Sequence, residues 1–242
     1  MKNDKGQKMT VSAPDGRPVA VRLEVNPRAR RLILRLDEST REAVAIAPNR
    51  RQLKAAAAFA VDRAGWIADR LDDLPRSAPI EDGATIPFRG APCLLTSEGE
   101  GRLARFEPGP PACIRSPGAP ETFERRTIRF LKKEAKADLA AAVARHCDTL
   151  GVKASAIQIK DTRSRWGSCT ADGRLSFSWR LICAPPEVLD YVAAHECAHL
   201  IEMNHSPAFW AQVSKICPDW KRQRAWLRGE GRGLHAVGAG TR

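Results

Sequence analysis

An α+β fold is what this sequence predicts, and three observations lead there. Short runs in the first half alternate apolar and polar side chains, which is strand periodicity. The second half carries longer segments with an apolar residue every three or four positions, which is helix periodicity. A chain of 242 residues, 43% hydrophobic and 28% charged, is long enough to bury a core and has globular composition.

The runs 19–25, 31–36 and 43–47 read as three strands of an antiparallel meander, the last ending at Pro48. Arg28, Arg30, Arg31, Arg35 and Arg41 crowd its loops and outer face, as a solvated surface or an anion-binding one. A helix over 50–71 follows, with Leu53, Ala57, Val61, Ala64, Ile67 and Leu71 as its stripe and a capping-box spacing at Asn49 and Gln52. Residues 75–120 are rich in Pro and Gly, with short strands at 85–88, 93–96 and 102–106 and a boundary near 118. A long helix over 121–150 buries Ile128, Leu131, Ala135, Leu139, Val143 and Leu150. Arg125, Arg126, Arg129, Lys132, Lys133 and Lys136 lie mostly off that stripe. Strands at 157–160 and 174–179 precede helices that start after Pro185-Pro186 and Ser206-Pro207, and a last helix covers 220–227.

Lys+Arg outnumber Asp+Glu by 40 to 28, giving a formal charge of +12 and a pI near 9.8. Such a surface attracts polyanions, so a nucleotide or nucleic acid is one expected partner class. No run approaches the about 18 apolar residues of a spanning helix, and no membrane association is expected. The opening Met1–Lys8 is polar and carries no signal-like apolar stretch. Seven cysteines, an odd number with no C-x-x-C pair, argue against a disulfide framework and for a reducing cytoplasm.

The chemistry concentrates in His195-Glu196-Cys197-Ala198-His199. Four residues turn a helix by about 400°, so the two imidazoles point within about 40° of each other and about 6 Å apart along the axis. They can converge on one divalent metal, with Glu196 reaching a metal-bound water as general base. Glu202 and His205 are the candidates for a third ligand. Glu202 lies about 10 Å along a continuous helix from His195, too far for one metal. His205 requires a helix break, which Asn204 in a left-handed cap and the new start at Ser206-Pro207 supply. His205 is therefore the expected ligand, and Glu202 a supporting or surface charge.

The segment from His195 through His199, His205 and Ser206-Pro207 to Trp210 resembles the active-site signature of the YgjP-like metallopeptidase-domain family, a zincin-like group related to SprT-like proteases. Arg163-Ser-Arg-Trp-Gly-Ser-Cys169 with Leu175-Ser-Phe-Ser-Trp179 is similar to its second signature, and Asn26-Pro-Arg-Ala-Arg-Arg31 through Trp66-Ile67 to its opening. The resemblance implies a zincin-like fold, with an active-site helix beside a small sheet and a β-rich N-terminal part. It implies metal held by His195, His199 and His205, with Glu196 as the catalytic base. It also implies a strand bordering the cleft before that helix, from which Arg163, Arg165 and Ser168 are expected to contact substrate.

The expected organisation is a β-rich region with one helix over 1–117, a catalytic region over 118–230 and a flexible tail over 231–242. The expected function is a zinc metallopeptidase acting on peptides or proteins, although other divalent metals suit three histidines. A metal-dependent nucleotide or phosphoester hydrolase is the alternative. A nucleic-acid-associated protein with a structural metal site is the third reading, and Cys169, Cys183 or Cys217 would have to complete such a site. His146 reads as a satisfied core residue, His235 as part of the tail, and Phe209 and Trp210 as packing behind the site.

Overall fold

The structure is a computed structural model and describes residues 6–37, 40, 42–72, 78–162 and 165–238. They fall into two compact units, one within Met1–Ser77 and one over Ala78–Gly238. No helix among the described residues is long and apolar enough to cross a membrane.

The first unit holds β1 (Lys8–Ser12), β2 (Pro18–Val25), β3 (Ile33–Asp37) and β4 (Glu42–Ala47) in one sheet of order β1-β2-β4-β3. The expected meander is corrected here: β2 and β4 are parallel, and β3 pairs only with β4. Burial explains the order. Ala43 to Ala47 are all buried and take a central position, while β3, with Ile33 and Arg35 exposed, goes to the edge. β1, unrecognised in the sequence, forms a hairpin with β2.

A 3₁₀ turn at Arg50–Gln52 leads into α1 (Leu53–Asp62) and then α2 (Ala64–Asp72). Asn49 Oδ1 accepts the Gln52 N–H at 3.1 Å, as the capping spacing predicts. The expected single helix is interrupted at Arg63, two residues before Gly65, the weakest helix former of the segment. Ala56, Ala60, Ala64, Ile67 and Ala68 pack onto Val19, Val21, Leu23 and the alanines of β4.

The second unit begins with β5 (Thr85–Phe88), β6 (Ala91–Thr96), β7 (Arg105–Glu107) and β8 (Cys113–Arg115), in the order β5-β6-β8-β7. These residues were expected to go with the first region. Instead Ile86, Phe88, Leu95 and Ile114 share a core with Phe123 and Phe130 of α3 (Phe123–Leu150). The small sheet buries its apolar residues against the α3 side of the same unit.

The second sheet of this unit contains β9 (Ala156–Lys160), β10 (Gly167–Cys169) and β11 (Arg174–Ser178). Its order is β10-β11-β9, so β10 and β9 are its two edges. Then come α4 (Pro186–Ala198), α5 (Pro207–Ile216), α6 (Trp220–Gly229) and α7 (Gly231–Ala236). Leu131, Ala135, Leu139 and Val143 of α3 are buried as expected, against Leu175 and Phe177 of β11 and the apolar residues of α4, whereas Ile128 and Leu150 are half-buried. Arg126 corrects the expected division: it is buried, because its guanidinium donates to the Ser116 and Ala119 carbonyls. His146, 6% exposed, lies 3.0 Å from Asp190 Oδ1 of α4, so it is the satisfied core histidine the sequence suggests. Residues 231–238 correct the expected tail: Leu234 and Val237 are buried, and His235 stacks on Trp166 at 4.0 Å. Residues 239–242 lie outside the described residues.

Candidate metal centre

Helix α4 is apolar almost all round. Val188, Leu189, Val192, Ala193, Ala194, Cys197 and Ala198 are buried, which fixes its axis inside the core. His195 and His199, four residues apart, project from one side with ring centroids 4.9 Å apart. The helix ends at Ala198, with His199 still in right-handed geometry. The amides of Ile201 and Glu202 close the turn on the Ala198 carbonyl.

The break therefore comes earlier than expected and without a left-handed Asn204, since Arg89 is the one non-glycine residue with positive φ among the described residues. Asn204 acts through its side chain, accepting the Ser206 N–H at 3.1 Å. Ser206 Oγ in turn accepts the Phe209 N–H at 3.3 Å, so α5 starts at Pro207, two residues after His205. Ser206→Ala is expected to cost about 1 kcal/mol, read as a lower urea midpoint with an unchanged slope.

This turn swings His205 back over α4. Its Nε2 lies 3.1 Å from His195 Nε2, and its ring centroid is 4.8 Å from that of His199. The three ligand nitrogens all lie within 4.8 Å of one another. Tetrahedral zinc with Zn–N bonds of about 2.0–2.1 Å holds its nitrogens about 3.3 Å apart; the His195–His205 pair already has that spacing, and His199 would close by up to about 1.5 Å. The Glu202 carbonyl can only accept a hydrogen bond, so His199 Nδ1 donates to it at 2.9 Å. That contact fixes the tautomer and leaves Nε2 with its lone pair. Glu202 thus supports the site through its backbone rather than its carboxylate.

Phe209 is fully buried and backs all three rings, at centroid distances of 4.9, 4.4 and 4.8 Å from His195, His199 and His205. Trp210 stacks on Trp220 at 4.2 Å under the guanidinium of Arg224. His205 is exposed, which leaves one side of the triad open.

Burial, reinforced by the neighbouring His199, His205 and Arg224, pushes His195 down to about 3. Burial also lowers His199, against the Glu202 carbonyl that favours its charged form. Neutral imidazoles are the form that binds a cation. Glu196 is 5% exposed, and burial pushes its carboxyl up to about 8, with the positive charge of Arg165 pulling the other way.

The carboxyl side of Glu196 rests against β10. A β-carbon on Gly167 would sit 2.7 Å from Glu196 Cγ and 2.8 Å from Cδ, and would overlap Oε1. Only glycine lets the strand lie there. A lone glycine within a strand is itself a sign of close approach. Strand alternation turns the Ser168 side chain to the opposite face from Gly167. Of the expected cleft residues, Arg165 is exposed beside Glu196, Ser168 faces away from it, and Arg163 lies outside the described residues. Among the described residues, the one group able to hold a metal is the three histidines; Cys169, Cys183 and Cys217 are not part of it.

Three imidazoles converging on the helix that also carries a buried carboxyl are the donor set of a divalent-cation site with an acid–base group on the same helix, the constellation of metal-dependent hydrolases. The family model described as YgjP-like, metallopeptidase domain, matches residues 30–230, and the chain belongs to that family. The family is one of metallopeptidase domains, which implies a divalent metal and peptide substrates. No curated protein matches the sequence. Among solved structures, the crystal structure of the metallopeptidase zymogen of Pyrococcus abyssi abylysin is 21% identical. The match covers 37% of this chain and 93% of that one, with a TM-score of 0.34.

Proposed function

We propose that this chain is a zinc-dependent, zincin-like metallopeptidase that hydrolyses peptide bonds, with His195, His199 and His205 as ligands and Glu196 as general base. The observation that carries the reading is the meeting of the three imidazoles, their nitrogens within 4.8 Å of one another, on the helix that carries a buried Glu196. A divalent cation held there supplies Lewis-acid chemistry: it acidifies water, polarises a carbonyl and favours the carboxylate form of Glu196.

The residues of the chain do the rest. Glu196 takes a proton from the attacking water at its carboxylate and gives it to the leaving amine as the C–N bond breaks. Gly167 holds that carboxylate by offering backbone where a side chain would displace it. Among the described residues β10 is an edge strand of its sheet, a position that suits an extended peptide adding as a further strand. Arg165, exposed next to Glu196, supplies positive charge for a substrate carbonyl or carboxylate. Seven free cysteines agree with a reducing, cytoplasmic setting.

The test is a chelation and reconstitution series on the whole chain. Stripping the metal is expected to abolish hydrolysis of casein and of unstructured peptides, and one equivalent of zinc to restore it. Hydrolysis of nucleoside triphosphates with casein left intact would reverse the assignment in favour of phosphoester chemistry.

A further inference from the structure

Away from the metal centre, helix α3 sorts its charges by face. Taking 100° per residue, Arg129, Lys132, Lys133 and Lys136 fall within an arc of about 100°. Glu134 and Asp138 fall on the opposite side, where Arg89 holds them at 3.0 and 2.8 Å. The four cations and β9 line a groove of about 570 Å³, with Ile157, Gln158, Ile159 and Lys160 as its other wall. No acidic residue lines it, and none of its five cations forms an ion pair among the described residues. Asp161, next after Lys160, pairs with the buried guanidinium of Arg180 and also feels the charge of Lys132. Arg125, exposed one turn before Arg129, extends the row.

We propose that this groove binds the phosphodiester backbone of duplex nucleic acid. The lining charge is one-signed, which is the electrostatic footprint of a phosphate partner. It is also linear: from Arg125 to Lys136 the row runs about 16 Å along the helix, while a nucleic-acid strand presents one phosphate per about 3.4 Å of rise. Four or more phosphates of one strand therefore fall within reach. The floor is aliphatic, with no aromatic ring on which unpaired bases would stack, and this favours a duplex over a single strand. β9 is the edge of its sheet opposite β10, two strand spacings or about 10 Å from the strand against Glu196. Nucleic acid held at β9 leaves the metal centre free, and the inference stands independently of the peptidase reading.

The experiment titrates the full-length chain with a labelled short DNA duplex by fluorescence anisotropy over a range of salt concentrations. Wild type is expected to bind with an affinity that falls steeply with salt. Lys132→Ala/Lys133→Ala/Lys136→Ala is expected to weaken binding about tenfold or more at low salt and to flatten the log–log salt slope by about 3. Arg28→Ala/Arg30→Ala/Arg31→Ala removes the same charge from exposed sites in the first unit and is expected to leave the slope nearly unchanged. Lys136→Glu, at an exposed site, repeats the test with one substitution should the triple variant melt early. Equal losses in both triple variants would reduce the effect to diffuse net charge and overturn the proposal. So would a groove variant that binds as wild type, or a wild type that does not bind the duplex.

Discussion

Glu196→Gln is expected to retain one metal per chain and to lower peptide hydrolysis by about 10²–10⁴-fold. General-base catalysis is worth that much, and glutamine keeps the size and burial of the side chain while losing its ability to accept the proton. The three imidazoles are untouched, so metal content by elemental analysis should match wild type. Because Glu196 is 5% exposed and its carboxyl is disfavoured as an anion by burial, an uncharged replacement is not expected to destabilise the fold. Loss of metal or a collapsed thermal transition in this variant would make Glu196 a structural residue and remove the basis of the mechanism.

Gly167→Ala is the second large effect, and it isolates position from chemistry. The added methyl would lie 2.7 and 2.8 Å from Glu196 Cγ and Cδ, closer than side-chain carbons approach one another. Either β10 or the Glu196 carboxyl must move, by about an ångström. Displacements of that size cost about 100-fold in rate when the displaced group handles the proton. The expected result is a fall in kcat of that order with metal content unchanged, since the three atoms nearest the methyl all belong to Glu196. Combining Gly167→Ala with Glu196→Gln should add little beyond Glu196→Gln alone, because both act on one group. Full activity in Gly167→Ala would show that the close approach has no catalytic consequence.

Much of this site was legible in the chain itself because its logic is local. The i, i+4 spacing of His195 and His199 is a property of any helix, and Ser206-Pro207 starts a new one wherever it stands. The requirement that His205 leave the helix followed from those two facts. The device that turns the chain did not: an early end at Ala198, with the Asn204 side chain taking an amide, depends on hydrogen bonds that compete only once the loop is folded. The role of Glu202 was hidden for a related reason. A backbone carbonyl that orients His199 is available from any residue type, so its position carried no mark in the sequence.

Elsewhere the division is the same. Periodicity and composition alone determined that this is an α+β protein, where its long helix and most strands run, and the burial of four of the six side chains in the predicted stripe of α3, because apolar spacing reports on the face that leaves water. Tertiary structure decided that β4 passes between β2 and β3, that residues 78–117 join the second unit, and that Gly167 meets Glu196. Each of those outcomes rests on contacts between segments far apart in the chain. Pairing order and close approach depend on which apolar surfaces find one another, and no single window of sequence contains both partners.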